Sequence, residues 1–358
     1  MSRRLFWILV ILISLGLAVL SSAGLIDAQK KFGSSYYYFT HQLLYGILPG
    51  VIIAFLLSKI DYHLWRKLSL LILFGSLVLM TLVFVPGFGY GAKGAIRWLN
   101  IQGFIFQPAE ILKLALVIYL AAWFGGRSDR VKNWSYGLLP FFILVGFVGL
   151  LLALQPDIGT LIIVALIALG IYFVAGVNIK YLLGIALVGI ILFSMLVAIE
   201  PYRLNRFKAY LNPDSDPRGI AYQVNQSLIA IGSGGLFGVG YGHSSQKFGF
   251  LPEVIGDSIF AVLAEELGFL GASVTVLLYG ALGFTLIQIA RNTKDRFGML
   301  FTMGIAIWVV GQAFVNIMAI SGLAPLTGIP LPFISYGSTS TIALLSGLGI
   351  VFNIAKGK

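Results

Sequence analysis

Asp257 is the acidic residue best placed to do chemistry in this chain of 358 residues. It closes a long polar stretch, follows Pro252, Glu253 and Gly256, and opens an apolar run. Loss of water there would raise its pKa toward that of a working general base. A plain helix N-cap is the other use of a carboxylate in that place. Glu265 and Glu266 follow closely. At about 100° per residue, Glu266 projects opposite Asp257 and Glu265 about 80° away, which suits helix packing better than a catalytic pair. Glu110 and Lys113 are three residues apart on one helical face, just after Gln107 and Pro108. They read either as a structural ion pair or as a lysine turned to an anionic group with Glu110 orienting it. Lys93, Arg97, Arg203, Arg206, Lys208, Arg218 and Lys247 add cations to the polar stretches. Such cations suit a phosphate-rich ligand, and exposed basic residues that are merely solvated give the same pattern.

Other chemistries lack their residues. The chain has no cysteine, which removes disulfides, thiolate nucleophiles and cysteine metal sites. Its three histidines, His41, His63 and His243, are scattered and form no metal motif, so no protein-held metal is expected. The glycines from Gly232 to Gly242 lack the strand-to-helix context and lysine spacing of a nucleotide-phosphate loop.

The elements that must position these residues are membrane spans. The composition is 59% hydrophobic and 10% charged, with a mean hydropathy of +0.96, against roughly 25% charged in soluble domains. Continuous apolar runs of about 20 residues indicate helices rather than a barrel of short alternating strands. Ten runs are present, at about 5–25, 38–58, 68–86, 108–124, 136–155, 159–176, 180–199, 267–290, 298–320 and 336–354. The first is read as a retained span rather than a signal peptide. The expected fold is therefore an all-α polytopic membrane domain of ten transmembrane helices over residues 1–358. Orientation follows from Lys and Arg in short loops. Fourteen of the 24 basic residues fall on one side against only Asp61, Asp129 and Asp295, which accounts for the whole net charge of +11 and leaves no reason to infer nucleic-acid binding. Both termini are then cytoplasmic. The large extracytoplasmic loops are about 87–107, between helices 3 and 4, and 200–266, between helices 7 and 8. The apolar run from Asp257 to Ala290 is too long for one upright crossing, at about 51 Å. A bend is expected at Gly268, leaving 257–266 as an outer or interfacial helix.

Six segments in order resemble the SEDS family (shape, elongation, division and sporulation), polytopic glycosyltransferases of the bacterial cytoplasmic membrane. They are Lys93 to Leu99 (KGAIRWL), Phe106 to Lys113 (FQPAEILK), Gln155 to Thr160 (QPDIGT), Tyr222 to Gly240 (YQVNQSLIAIGSGGLFGVG), Leu251 to Gly268 (LPEVIGDSIFAVLAEELG) and Pro325 to Gly337 (PLTGIPLPFISYG). The chain departs from the family where Gly256 and Ser258 flank Asp257 in place of threonine and phenylalanine. Ser338 stands for a second glycine and Ala109 for a serine. The aspartate itself is retained. Gly240 to Lys247 (GYGHSSQK) is more similar to the division type than to the elongation type.

The resemblance implies that the substrate is lipid II, a disaccharide-pentapeptide on undecaprenyl pyrophosphate. Asp257 would take the proton from the acceptor sugar's 4-hydroxyl as it attacks the donor's C1 with inversion. Substrate contacts would fall among Arg97, Trp98, Glu110, Lys113, Arg203, Arg206, Lys247, Glu253 and Ser335. A divalent cation, magnesium or manganese, could accompany the pyrophosphate with no tightly bound cofactor otherwise. The implied partners are a class B penicillin-binding transpeptidase and other divisome or elongasome proteins. A flippase or transporter of the same lipid is the rival class, since broken helices and intramembrane charges also mark transport paths. A non-catalytic scaffold is a third, and it leaves Asp257 without a task.

Orientation is directly testable in a chain with no native cysteine. Asp214→Cys should react with an impermeant thiol reagent in intact cells and Lys294→Cys should not. The reverse result overturns the topology and the outward site together.

Overall fold

The computed structural model describes residues 1–92, 95–126, 137–177, 180–181, 183–185, 187–189, 191, 194, 210 and 220–357. Its helices are α1 (Ser2–Ala23), α2 (Leu25–Phe32), α3 (37–57, with a π-helical turn at Leu43–Ile47), α4 (His63–Leu82), α5 (Pro108–Gly126), α6 (Leu139–Leu154), α7 (Ile158–Val174), α8 (Ile220–Ser233), α9 (Ile259–Asn292), α10 (Arg296–Ile320) and α11 (Ser338–Lys356). Among the described residues seven helices are long and apolar enough to cross a membrane: α1, α3, α4, α5, α9, α10 and α11. The apolar helices α6 and α7 are shorter. The expected run at 180–199 is described only in part, and its described residues, 180–181, 183–185, 187–189, 191 and 194, are helical.

α10 is the central helix. It packs against α9, α5, α7 and α11, and Leu300, Phe301, Ile305, Trp308, Val309 and Ala313 on it are fully buried. The peripheral helices turn apolar side chains outward, as Phe55 on α3 and Leu70, Leu71 and Phe74 on α4 show. Such faces are stable only against hydrocarbon. At one end of the bundle the Asn292 amide meets Met1 and the Asn353 side chain ties Tyr62 to Ser58, so both chain ends and two short turns gather there. Those turns include two of the segments whose basic residues define one side of the charge pattern.

At the opposite end residues 89–106 form a sheet that the sequence reading treats as a glycine-rich loop. Strands β1 (Gly89–Ala92), β2 (Ala95–Ile101) and β3 (Phe104–Phe106) pair antiparallel in that order. Ile101 faces Phe104 across a two-residue turn in which Gln102 and Gly103 both have positive φ. That is the hairpin geometry usually signalled by Asn-Gly or Asp-Gly. Here Asn100 supports the turn from outside it, its Oδ1 accepting from the Gly103 amide at 2.9 Å.

The bend at Gly268 is present: its φ of 68° and ψ of −170° interrupt α9. A second departure from helical geometry is larger. Between α10 and α11 residues 324–337 run back into the bundle in an irregular path. Phe333 and Ile334 reach Gly16 of α1, where an added Cβ would stand 2.2 Å from the Phe333 carbonyl oxygen. Gly159 is pressed in the same way against the carbonyl of Thr327, at 2.5 Å from its ideal Cβ.

This contact predicts that Gly16→Ala lowers the melting temperature of the detergent-solubilised protein, by overpacking worth about 1–3 kcal/mol. Gly75→Ala on α4, where a Cβ would meet nothing within 4 Å, should be neutral or mildly stabilising. Equal melting temperatures for the two variants would show that the returning segment does not press on α1.

Candidate active site

The returning segment determines where Asp257 sits. Peptide groups that leave helical geometry inside a membrane protein need partners from elsewhere, since an unpaired one costs several kcal/mol in hydrocarbon. Pro325, Pro330 and Pro332 remove three donors outright. The carbonyls are met by neutral amides and a phenol. Asn316 Nδ2 donates to Ile329 O at 2.7 Å, Gln312 Nε2 to Pro330 O at 2.9 Å, and Tyr279 Oη to Pro332 O. Gln312 and Asn316 are one helical turn apart on α10, and all three residues are buried.

The same devices hold the loop that carries the aspartate. Asn316 Nδ2 also donates to the backbone carbonyl of Asp257 at 2.8 Å. Ser335 Oγ donates to Gly256 O at 2.6 Å while accepting from the Leu331 amide, and the Tyr336 amide donates to Ile255 O at 2.9 Å. Ser335, expected as a substrate contact, is thus 4% exposed and ties the two segments together. The Asp257 side chain is half-buried and accepts from Gln223 Nε2 of α8 at 3.2 Å, and that amide also reaches Ser258 Oγ at 3.0 Å. Glu253, exposed and in left-handed backbone at φ 52°, receives the amides of Gly256 and Ser258 on its carbonyl. Its conformation costs about 1–3 kcal/mol, which the surrounding bonds must offset.

One expectation is corrected. The helix does not start at Asp257: α9 begins at Ile259 and its N-cap is Ser258, whose side chain makes no capping bond. The tight turn from Glu253 to Ser258 delays the helix, and the Asp257 carboxylate accepts from Gln223 while its backbone carbonyl accepts from Asn316.

Glu110 and Lys113 form a salt bridge of 2.8 Å with side chains 4% and 1% exposed. Lys113 Nζ donates to Gln312 Oε1 at 2.9 Å, lies 5.1 Å from the Trp308 ring centroid, and shares Gln312 Oε1 with Trp308 Nε1. The pair therefore acts on the site through Gln312, whose amide end holds Pro330. Arg97, on β2, donates through Nε to Gln155 O at 3.2 Å and through a terminal nitrogen to Pro156 O. It clamps the turn in which Asp157 caps α7 and accepts from Gln107. Trp98 is half-buried opposite Tyr90 in the sheet. Lys247, 5% exposed, pairs with Glu266 at 2.9 Å and donates to Ser22 Oγ and Gly242 O. Glu265 accepts from Ser244 and from the Ser245 amide and hydroxyl. Both glutamates thus serve packing, as their angular positions indicate. Arg203 and Arg206 lie outside the described residues.

Gln223, Gln312 and Asn316 were not singled out from the sequence. Neutral amides carry no charge to draw notice. Two of them at i and i+4 within an apolar span were the available signal.

Known proteins match this arrangement along nearly its full length. Residues 3–358 match the family model of the FtsW, RodA and SpoVE proteins, described as cell cycle proteins. The chain belongs to the FtsW/RodA/SpoVE family. A probable peptidoglycan glycosyltransferase FtsW of Trichlorobacter lovleyi is 38% identical over 353 residues, 99% of this chain and 92% of that one. Stage V sporulation protein E of Bacillus subtilis is 37% identical over 98% of this chain and 95% of its own length. Among solved structures, the rod shape determining protein RodA of Thermus thermophilus superposes with a TM-score of 0.72 at 29% identity, covering 98% of this chain and 95% of that one. A chain from a peptidoglycan synthase complex, solved for the coordination of polymerization and crosslinking, reaches 0.76 at 31% identity, covering 98% and 97%. The multi-pass membrane fold expected from the apolar runs is the fold of this family.

The buried pair yields a prediction. Lys113→Met leaves Glu110 charged and unpaired, which costs about 3–5 kcal/mol, and should sharply lower the melting temperature. Adding Glu110→Gln should restore most of the loss. A double variant that melts no higher than Lys113→Met would show that the ion pair is not what the lysine contributes.

Proposed function

We propose that this chain is a peptidoglycan glycosyltransferase that polymerises lipid II at the outer face of a bacterial cytoplasmic membrane, with Asp257 as the general base. The observation that carries the reading is the setting of Asp257: a half-buried carboxylate at the end of the bundle opposite the chain termini, on a loop held by Gln223, Asn316 and the Ser335–Tyr336 segment. Full-length similarity to proteins named as peptidoglycan glycosyltransferases supports the reaction class. The similarity to a synthase-complex chain supports a penicillin-binding transpeptidase as partner.

In this reading the carboxylate receives the proton of the acceptor's 4-hydroxyl as the oxygen bonds to the donor's anomeric carbon. The bond to the pyrophosphate breaks on the opposite side, and the undecaprenyl pyrophosphate leaves with the electron pair. Gln223 restrains the carboxylate's rotation by donating to one of its oxygens. Asn316 fixes the backbone beneath it. Preorganisation of this kind converts binding into rate, since the base need not search for its geometry. Arg203, Arg206 and the outward part of Arg97, with Trp98 and Glu253, are the groups proposed to meet the substrate. Cations that bind the leaving pyrophosphate more tightly as its charge grows lower the barrier. Lys113, Glu110, Lys247 and Ser335 are proposed to serve the substrate through the segments they hold. Among the described residues no three His, Asp or Glu side chains converge, so magnesium or manganese bound during turnover would take its oxygens chiefly from the substrate's phosphates. The wider divisome or elongasome setting is proposed on similarity to the division type.

Polymerisation of purified lipid II by the detergent-solubilised protein, with and without a class B transpeptidase, tests the reading. Asp257→Asn keeps the shape and the Gln223 contact site but cannot take a proton. It should fold and bind lipid II while polymer formation falls about 10²- to 10⁴-fold. Asp257→Glu, longer by one methylene, should retain only weak activity. Polymerisation by Asp257→Asn within threefold of the unaltered protein would transfer the base to another carboxylate, Glu253 first. Movement of lipid II across vesicles without polymer would replace the reading with transport.

A further inference from the structure

A row of aromatic rings leads away from the Asp257 loop, which it meets only through the backbone amide of Tyr336. Tyr37, His41 and Tyr45 stand at i, i+4 and i+8 on α3, the spacing of one helical face. Phe32 of α2 stacks on Tyr37 at 3.7 Å and 12°. The His41 ring lies 5.7 Å from Tyr37, 4.7 Å from Tyr45 and 5.6 Å from Tyr336, and its Nδ1 shares a hydrogen bond of 2.9 Å with Tyr336 Oη. Tyr336 in turn is anchored through its amide to Ile255, two residues before Asp257. The rings are not a buried core: Phe32 is 48% and Tyr45 57% exposed, with Tyr37, His41 and Tyr336 partly open. Polar groups border them, with Asp27 accepting from Tyr38 Oη at 2.6 Å and from Lys31 at 2.9 Å. Tyr45 lies within the π-helical turn Leu43–Ile47, a feature that often marks function. Gly46 in that turn lets α3 approach Ser338, whose Cα would be 3.2 Å from an added Cβ.

Aromatic faces are negative and their edges positive, so a ring face attracts the polarised C–H groups on the flat side of a pyranose. The sugar's hydroxyls meanwhile need the polar groups at the rim. Tyrosine and histidine supply both a face and a polar edge. We propose that Tyr37, His41, Tyr45 and Tyr336 form a saccharide platform that holds pyranose rings of the glycan strand beyond the reacting pair. It rests on the glycosyltransferase reading, which makes a glycan strand the expected occupant of rings beside Asp257. Binding energy gathered at such remote rings holds the strand between additions. Tyrosines also collect at membrane interfaces as simple anchors. An anchor needs only lipid contact, whereas these rings interlock with each other and with the segment that fixes the catalytic loop.

A lipid-free GlcNAc–MurNAc tetrasaccharide, titrated into the purified full chain and followed by saturation-transfer NMR, separates the two. Tyr45→Leu preserves an apolar lipid contact and removes the ring face. It should weaken tetrasaccharide binding about three- to tenfold, while Tyr45→Trp keeps it. Tyr37→Ala should weaken it similarly, and both Tyr45→Leu and Tyr37→Ala should make shorter strands from lipid II. Binding by Tyr45→Leu within 1.5-fold of the unaltered protein, at an unchanged melting temperature, would overturn the platform and leave an interface anchor. If Tyr37→Ala does not fold, the exposed Tyr45 pair of variants decides alone. Asp257→Asn should bind the tetrasaccharide normally. Tetrasaccharide binding that depends on the rings, in a protein that makes no polymer, would sink the glycosyltransferase reading and keep the platform.

Discussion

A peptide chain that abandons helical geometry among membrane-spanning helices must find a partner for each carbonyl it exposes, because no water is at hand to serve. Residues 324–337 meet this demand through Asn316, Gln312 and Tyr279, and the rest of the site follows from how they do so. Asn316 is shared between Ile329 and Asp257, so the returning segment and the Asp257 loop are tied to one side chain. Gln312 is shared between Pro330 and Lys113, so the ion pair on α5 is tied to the same frame. Each bond contributes about 1 kcal/mol on its own in a membrane setting. Their effect is positional: one amide contacts two segments, and a carboxylate is held at a fixed height above the bundle.

The charges divide by what surrounds them. Lys113, Lys247 and Glu266 are enclosed and paired, so removing any one leaves an expensive remainder. Asp257 is half-buried, which leaves it partly open while limiting its hydration. Arg97 spends its donors on two carbonyls of the turn before α7, which couples the three-stranded sheet to the core. Lys113, Lys247 and Arg97 are thus fasteners between elements of the fold.

Much of the fold was legible because it follows from length and apolarity. The spans at α1, α3, α4, α5, α9, α10 and α11 lie close to their apolar runs, and the bend at Gly268 follows from a stretch too long to cross once. The i, i+3 spacing announced the Glu110–Lys113 pair. The sheet at 89–106 was not legible, because its glycines read as loop and its turn uses Gln102 where Asn or Asp would give the signal. Nor were the partners of Arg97 and Lys247, which lie 58 and 19 residues away in sequence at Gln155 and Glu266. A cation's type suggests an anion, but only packing shows that the anion, or a carbonyl, is already inside the protein.

The stretch from Gly234 to Gly240 is fastened to the bend in α9 by main chain alone: the amides of Val239 and Gly240 reach the carbonyls of Glu265 and Glu266, while Phe269 and Leu270 return to Gly235 and Leu236. Gly238 fits there because its ideal Cβ would stand 2.1 Å from the Glu266 carbonyl oxygen. Backbone fastening spares the neighbouring side chains. Phe237 is 79% exposed, and nothing in the strap depends on its identity. Position 237 is thus a convenient place to attach a reporter dye, mounted on the bend in α9 and free of the side chains that hold it.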